Sequence, residues 1–261
     1  FLAGHGRIKA KRLRGIFSMG LLTAADMQWT EGQDVAAELC ITKYEPPEPL
    51  QMGGENEKDP GFLPVYTDIE GLRRWGTVLA DGEEVVITEK IHGCNARYLW
   101  RDGRLWVGSH TGIKREDATN LWWKVAASME MATRLLDAPN VAIYGEVYGQ
   151  VQDLKYGAGR NDYFFAAFDA LDTLTRRYLD YDDMKALLAT LNIPMVPVLY
   201  RGPWSMEWAS MANGKTTVPA ADHVREGIVI RPVRERFDGR VGRVILKLHG
   251  EDYLLRKESK Q

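Results

Sequence analysis

Glu89-Lys90-Ile91-His92-Gly93-Cys94-Asn95 is the stretch from which the chain is best read. Just before it, Val85-Val86-Ile87-Thr88 is a short β-branched apolar run, the pattern of a buried strand. Gly93 follows Lys90 by three residues and suits a tight turn. A lysine at the end of such a strand is desolvated, and setting it among cations disfavours its charge a second time. Both effects lower its pKa, and only the neutral amine is a nucleophile. The stretch alone is also compatible with a surface lysine beside a turn, because short motifs recur by chance.

Outward from this point the pattern is of strands arriving as hairpins. Residues 96–100 read as a strand, Arg101-Asp102-Gly103-Arg104 as a hairpin turn and Leu105-Trp106-Val107 as the returning strand. Residues 141–147, 163–171, 227–231 and 244–248 are further strands. The spacing predicts a helix over 120–137, with Leu121, Val125, Met129, Ala132 and Leu136 facing inward. Residues 182–191 and 205–212 are expected as helices, the second ended by Gly214. This predicts an α+β fold with antiparallel sheets flanked by helices, not a doubly wound parallel sheet. Upstream, 25–39 has room for a short helix. Pro46, Pro47, Pro49, Gly53, Gly54, Pro60 and Gly61 then mark an open loop or linker.

Composition bounds the function. Of 261 residues, 45% are apolar and 27% charged, as in a globular protein with a core. The formal net charge of −2 excludes a protein that holds nucleic acid by bulk charge, but leaves room for a local basic groove. Cys40 and Cys94 are the only cysteines, too few for a disulfide scaffold or a four-cysteine zinc site. No run has the length and apolarity of a membrane span, and no signal-peptide pattern is present, so an intracellular, cytoplasmic location is the expectation. The chain opens on Phe1, which reads as a trimmed start.

Four further stretches carry chemistry. Tyr144-Gly145-Glu146-Val147-Tyr148-Gly149 sets an acid between glycines at a strand end. Phe164-Phe165-Ala166-Ala167-Phe168-Asp169-Ala170 places an aromatic before an acid. Arg225-Glu226-Gly227 puts an acid just before a strand, and Ile245-Leu246-Lys247-Leu248-His249 ends another with a cation. With the Lys90 stretch, and in this order, they resemble the five signatures of the covalent nucleotidyltransferases, the polynucleotide ligases and messenger RNA capping enzymes. The set is most similar to ATP-dependent RNA ligases, and Lys90-Ile91-His92-Gly93 looks like the nick-sealing kind. Arg12-Leu13-Arg14-Gly15, with Ser18, Gly20, Leu21 and Leu22, resembles the end of the OB module that precedes the catalytic domain in the Deinococcus/Naegleria type. The chain also stops soon after its last signature, as that type does. The resemblance spans roughly residues 7–257 and implies an OB-type remnant over 1–24. Residues 25–261 would then form an ATP-grasp-like ligase nucleotidyltransferase domain.

The resemblance implies that Lys90 attacks the α-phosphate of ATP and carries AMP, which passes to an RNA 5′-phosphate before a 3′-hydroxyl closes the bond. An RNA/DNA hybrid or a nicked duplex are further candidate substrates. DNA ligation, guanylyl transfer and non-catalytic RNA binding are the alternatives. It further implies Glu146 on the ribose or a hydrated metal, Phe168 stacked on adenine, Glu226 near metal-bound water and Lys247 on the α-phosphate. Asn95 would hold phosphate or ribose, the Glu89 carbonyl the adenine edge, and Arg97 would reach the nucleotide. Carboxylates and phosphates suit Mg²⁺ or Mn²⁺, for which Glu226 and Glu146 are the candidate ligands.

Four positions depart from the related enzymes. His92 stands where most of the superfamily has aspartate, and Cys94 where nick-sealing enzymes have threonine. His110 falls at an arginine position, with Lys114 and Arg115 as nearby substitutes. His249 replaces the second lysine of the last signature, making that cation conditional on pH. For RNA backbone contact, Arg225, Arg231, Arg234, Arg236, Arg240 and Arg243 form one dense group, of which Arg234, Arg236 and Arg240 are the leading candidates. Arg7, Lys9, Lys11, Arg12 and Arg14 form another, represented by Arg12 and Arg14.

Overall fold

The computed structural model describes residues 11–13, 16–18, 22–42 and 54–256. Contacts divide the chain into two units, Phe1–Glu48 and Pro49–Gln261, so the expected boundary at residue 24 falls inside the first. In that unit β1 (Lys11–Leu13) and β2 (Ile16–Ser18) pair antiparallel, with Lys11 opposite Ser18. Residues 25–39 form turns in place of the expected helix. Gly32 sits at φ +82°, outside helical backbone. The Asp34 carboxylate accepts the Ala36 N–H at 3.0 Å, a local bond that competes with a helix.

The second unit begins with β3 (Asn56–Glu57), β4 (Glu70–Gly71) and α1 (Leu72–Trp75). Next come β5 (Glu84–Lys90), β6 (Cys94–Arg101), β7 (Arg104–Ser109) and β8 (Ile113–Lys114). α2 (Leu121–Ser128) and α3 (Met131–Leu135) lead to β9 (Val141–Gly149), β10 (Tyr163–Asp172) and β11 (Arg177–Tyr178). α4 (Tyr181–Thr190), β12 (Val198–Pro203) and a 3₁₀ helix over Met206–Ala212 follow. The unit closes with β13 (Gly227–Pro232), β14 (Phe237–Asp238), β15 (Gly242–Arg243), β16 (Leu246–His249) and α5 (Glu251–Leu255).

Two sheets organise these strands, in the order β11-β10-β9-β6-β7-β8-β3 and β12-β5-β13-β16-β4. Among the described residues the strand ladders are antiparallel except β16 with β4, so the α+β expectation holds. On the seven-stranded sheet, Trp122, Val125, Met131, Leu135, Met184 and Leu188 from the helices cover Tyr98, Ile143 and Phe165. On the five-stranded sheet, Val85, Ile87, Ile228, Ile230 and Leu246 pack under Leu72 and Trp204. Val86 belongs to the first cluster and Val85 and Ile87 to the second. β5 is therefore buried on both faces, which is why it reads as an unbroken apolar run. Each such side chain contributes about 1.5–3 kcal/mol of burial.

The helix expected over 120–137 is two helices. Asn120 Oδ1 caps the first by accepting the Trp122 and Trp123 N–H groups at 2.9 and 3.3 Å. Glu130 then takes a left-handed φ of +51°, and α3 restarts at Met131 on a new phase. The break rotates the apolar stripe, so Met131 and Leu135 are buried while Leu136 is 50% exposed. The expected helix over 205–212 is a 3₁₀ helix. Among the described residues no helix is long and apolar enough to cross a membrane.

Candidate active site

The strand order brings three signature residues to one sheet end. β13 pairs with both β5 and β16, and Gly227 lies opposite Lys90 on one side and His249 on the other. Glu226 immediately precedes it. A Cβ on Gly227 would stand 2.1 Å from the Leu248 carbonyl oxygen, so only glycine permits this approach. From Lys90 the turn Ile91-His92-Gly93 carries the chain into the other sheet at Cys94. Gly93 serves the same purpose: its Cβ would meet the Val147 oxygen at 2.1 Å and Glu146 Cγ at 3.0 Å. Gly93 lies in the turn that its spacing suggests, and glycine is needed there for close packing against β9. The β6–β9 register then sets Asn95 opposite Glu146, delivering a second carboxylate.

Lys90 Nζ donates to Glu226 Oε2 at 2.9 Å, with the lysine side chain 25% exposed and the glutamate 6%. The expected ring of cations is instead a pair of acids. Burial pushes the Lys90 pKa down, but the Glu226 and Glu146 charges and the hydrogen bond push it up further, so it lies above the ordinary lysine value. Glu226 is held far below the carboxylate range, because Lys90, His92 and His249 outweigh the effect of burial. Burial pushes Glu146 up to about 7, with the Lys90 charge opposing. Burial brings His249 down to about 4 although Glu226 lies 3.7 Å away, so the second cation of the last signature is absent at neutral pH. Lys247 lies partly buried on β16, opposite Val229 of β13.

On the sheet face beside these groups, Asn95 Oδ1 and Arg97 Nε and Nη2 are buried and find no hydrogen-bond partner among the described residues. The remaining Arg97 nitrogen donates to the Leu63 carbonyl at 2.6 Å. Unsatisfied buried donors and an acceptor suit a polar anionic ligand. Phe168 sits where the β10 register slips between Ala167 and Asp169, a bulge that re-aims it. It is partly buried against Tyr66 at 4.9 Å, whereas Phe165 is core and Phe164 is 39% exposed. The Glu89 side chain does structural work. It accepts from Thr216 Oγ1 and, at 2.7 Å each, from the Thr217 N–H and hydroxyl. Among the described residues no group of three metal-ligating side chains is assembled. A hard cation here would take its other ligands from phosphate oxygens, the usual arrangement for Mg²⁺.

Sequence reasoning misses the residues that hold His92, namely Asp153, Tyr156 and Tyr253. They lie in a loop and a short terminal helix with no periodic signal; an isolated acid amid Gln152-Asp153-Leu154 is the one cue. His110 is exposed, Arg115 pairs with Glu55, and Lys114 is buried with its Nζ 4.7 Å from the Trp122 ring centre.

The arginine group is not one open basic face. Arg231 and Arg243 are buried on Asp169 at 3.0 and 2.6 Å and share Glu235. Arg225 donates to the Met211 and Lys215 carbonyls at 2.6 and 3.0 Å. Arg236 is committed to Glu83 at 2.6 and 2.7 Å and to the Val78 carbonyl. Arg234 and Arg240 are exposed, Arg240 with Asp238 beside it at 3.0 Å. Arg12 lies on β1, while Arg14 lies outside the described residues.

Residues 83–249 match the family model described as RNA ligase. No curated protein matches the chain significantly. Among solved structures, a lysine-to-alanine mutant of Naegleria gruberi RNA ligase with ATP and Mn is similar, with a TM-score of 0.83 and 26% identity. The match covers 95% of this chain and 76% of that one. A lysine-to-methionine mutant with AMP and Mn matches at a TM-score of 0.82 and 26% identity, over 95% and 76% of the two chains. The Naegleria gruberi enzyme with PPi matches at 0.81 and 26%, over 95% and 75%.

Proposed function

The chain belongs to the RNA ligase family and is an ATP-dependent RNA ligase, and from that premise we propose that it works through a lysyl-AMP intermediate on Lys90. The observation that carries this is the placement of Lys90 at the meeting point of β5, β13 and the turn into β6, 2.9 Å from Glu226. In the first step the Lys90 amine attacks the α-phosphorus of ATP. A nitrogen–phosphorus bond forms, the bond to the β-phosphate oxygen breaks and pyrophosphate leaves. An RNA 5′-phosphate oxygen then displaces Lys90 from the AMP phosphorus, and a 3′-hydroxyl displaces AMP to close the phosphodiester. Three in-line displacements replace one difficult step.

The side chains around Lys90 take the following parts. Glu226 holds the amine in place as an ammonium through Oε2, and the proton on that bond must leave before attack. Glu226 and Glu146 would hold a divalent cation such as Mg²⁺ or Mn²⁺, which would supply charge neutralisation and offset the carboxylate charge that keeps Lys90 protonated. Asn95 and Arg97 direct their unpaired polar atoms to ribose or phosphate, Phe168 stacks on adenine, Lys247 contacts the α-phosphate and Glu89 offers its backbone carbonyl to the adenine edge. Glu146 reaches the ribose hydroxyls when it does not hold metal. Arg234 and Arg240 are the backbone contacts for RNA that the fold leaves exposed, with Arg12 and Arg14 proposed in an OB-type remnant at the start of the chain. We place the activity in cytoplasmic RNA repair or nick sealing.

The test is transfer of label from α-labelled ATP to protein, followed by sealing of a nicked RNA duplex. Wild type should do both and Lys90→Ala neither. Sealing by Lys90→Ala would overturn the reading.

A further inference from the structure

The imidazole of His92 is gripped from two sides by groups outside every signature. Its Nε2 stands 2.7 Å from Asp153 Oδ1. Its Nδ1 stands 3.2 Å from the Tyr253 hydroxyl and 3.6 Å from Glu226 Oε1. Its backbone N–H donates to the Tyr156 hydroxyl at 2.7 Å. Asp153 does not act alone. Arg256 donates to it from Nε at 3.2 Å and from Nη2 at 3.0 and 2.9 Å. The same guanidinium lies 3.6 Å over the Tyr253 ring and gives its Nη1 hydrogen to the Tyr253 carbonyl at 2.8 Å. The loop after β9 and the end of α5 thus meet on one ring, and that ring leans on the carboxylate that holds Lys90.

Chemistry fixes the direction of the bonds. Burial works against the Asp153 charge, but Arg256 and His92 hold its carboxyl below the usual range, and a carboxylate only accepts. The hydrogen between them therefore belongs to His92 Nε2. A ring tied at one nitrogen only can swing. Tied at both, it keeps Nδ1 toward Tyr253 and Glu226. Groups that orient a residue in contact with the reacting centre matter, because displacement of about 1 Å can cost about 10²-fold in rate.

We propose that Asp153, braced by Arg256, is a positioning residue for AMP transfer: it locks the His92 ring so that Glu226 stays seated on Lys90. The proposal rests on the reading of Lys90 as the attacking amine, but its first readout needs no nucleotide. That readout is the proton resonance of the His92 ring N–H in the nucleotide-free protein, assigned by its loss in His92→Gln. A hydrogen bonded to a carboxylate exchanges slowly and appears at low field. It should be present in wild type, retained in Asp153→Asn, which keeps an acceptor oxygen, and lost in Asp153→Ala. The second readout is kinetic. Asp153→Ala should slow AMP labelling about 10²-fold with the KM for ATP changed less than about threefold, Asp153→Asn should recover most of the rate, and Arg256→Ala should fall between. The resonance surviving in Asp153→Ala overturns the proposal. So does an unchanged labelling rate, or a rate loss matched by an equal rise in KM and a collapse of Tm. Failure of wild type to take up label would refute the lysyl-AMP reading while the resonance still tested the clamp.

Discussion

Replacing Gly93 with alanine tests the packing that joins the two sheets at the site. The added Cβ would lie 2.1 Å from the Val147 carbonyl oxygen, 2.9 Å from its carbon and 3.0 Å from Glu146 Cγ. Carbon and carbonyl oxygen ordinarily stand no closer than about 3.3 Å. The Gly93 turn must therefore retreat from β9 by about 1.2 Å, relative to that contact distance. The limiting contact is with the Val147 backbone, so no side-chain rotation relieves it. Overpacking of this kind costs about 1–3 kcal/mol. For a unit of this size that lowers Tm by about 2–12 °C at about 2–4 °C per kcal/mol. The same retreat drags His92 and Asn95 from Glu146, and a misplacement near 1 Å costs about 10²-fold in rate. Label transfer from α-labelled ATP, timed under single-turnover conditions beside a thermal melt, reads both effects. Gly239→Ala is the control, since its Cβ would meet nothing within 4 Å and its backbone is not left-handed. Gly93→Ala labelling within about threefold of wild type at unchanged Tm would refute the reasoning.

Other outcomes follow from the buried charges and the exposed arginines. Asp169→Asn removes the charge shared by two guanidiniums and turns one of the oxygens that accept from Arg231, Arg243 and Tyr66 into a donor, so a loss of about 3–5 kcal/mol is expected, read as a Tm drop of about 6–20 °C. His249, ordinarily near 6.5 and brought to about 4 by folding, binds its proton more readily in the unfolded chain. Its contribution to stability is complete above 6.5 and is lost as pH falls from 6.5 to 4. Denaturant melts in chelator should show a shallower slope in that window for His249→Gln. Charge reversal at Arg234 or Arg240 should weaken RNA binding and reduce its salt slope by about one for each phosphate no longer neutralised. Arg236→Glu should chiefly lower Tm, because it sets a second carboxylate against Glu83.

The parts of the fold legible in the sequence are those with a local pattern, and the parts that are not depend on distant residues. β5 and the 101–104 hairpin announce themselves by β-branched runs and Asp102-Gly103. The break at Glu130 does not, because a glutamate in left-handed backbone follows no composition rule. The signatures locate Lys90, Glu146, Glu226 and His249, yet their electrostatics depend on register. Only the pairing of Gly227 with Lys90, and of Asn95 with Glu146, reveals that two acids flank the amine. Likewise the run of arginines from 225 to 243 looks basic in one dimension. Strand alternation and folding send Arg231 and Arg243 inward to Asp169, which lies 62 residues from Arg231 in sequence. Asp153 and Arg256 are invisible for the same reason, being 61 residues and more from the ring that they serve.

Mapping the site of adenylylation bears most directly on Lys90. After incubation with ATP and Mn²⁺, mass spectrometry of the digested protein should find AMP on the peptide that carries Lys90, and on none in Lys90→Ala. Wild-type protein that remains unmodified with every divalent cation tried, or AMP carried on a different residue in both proteins, would contradict a lysyl-AMP route.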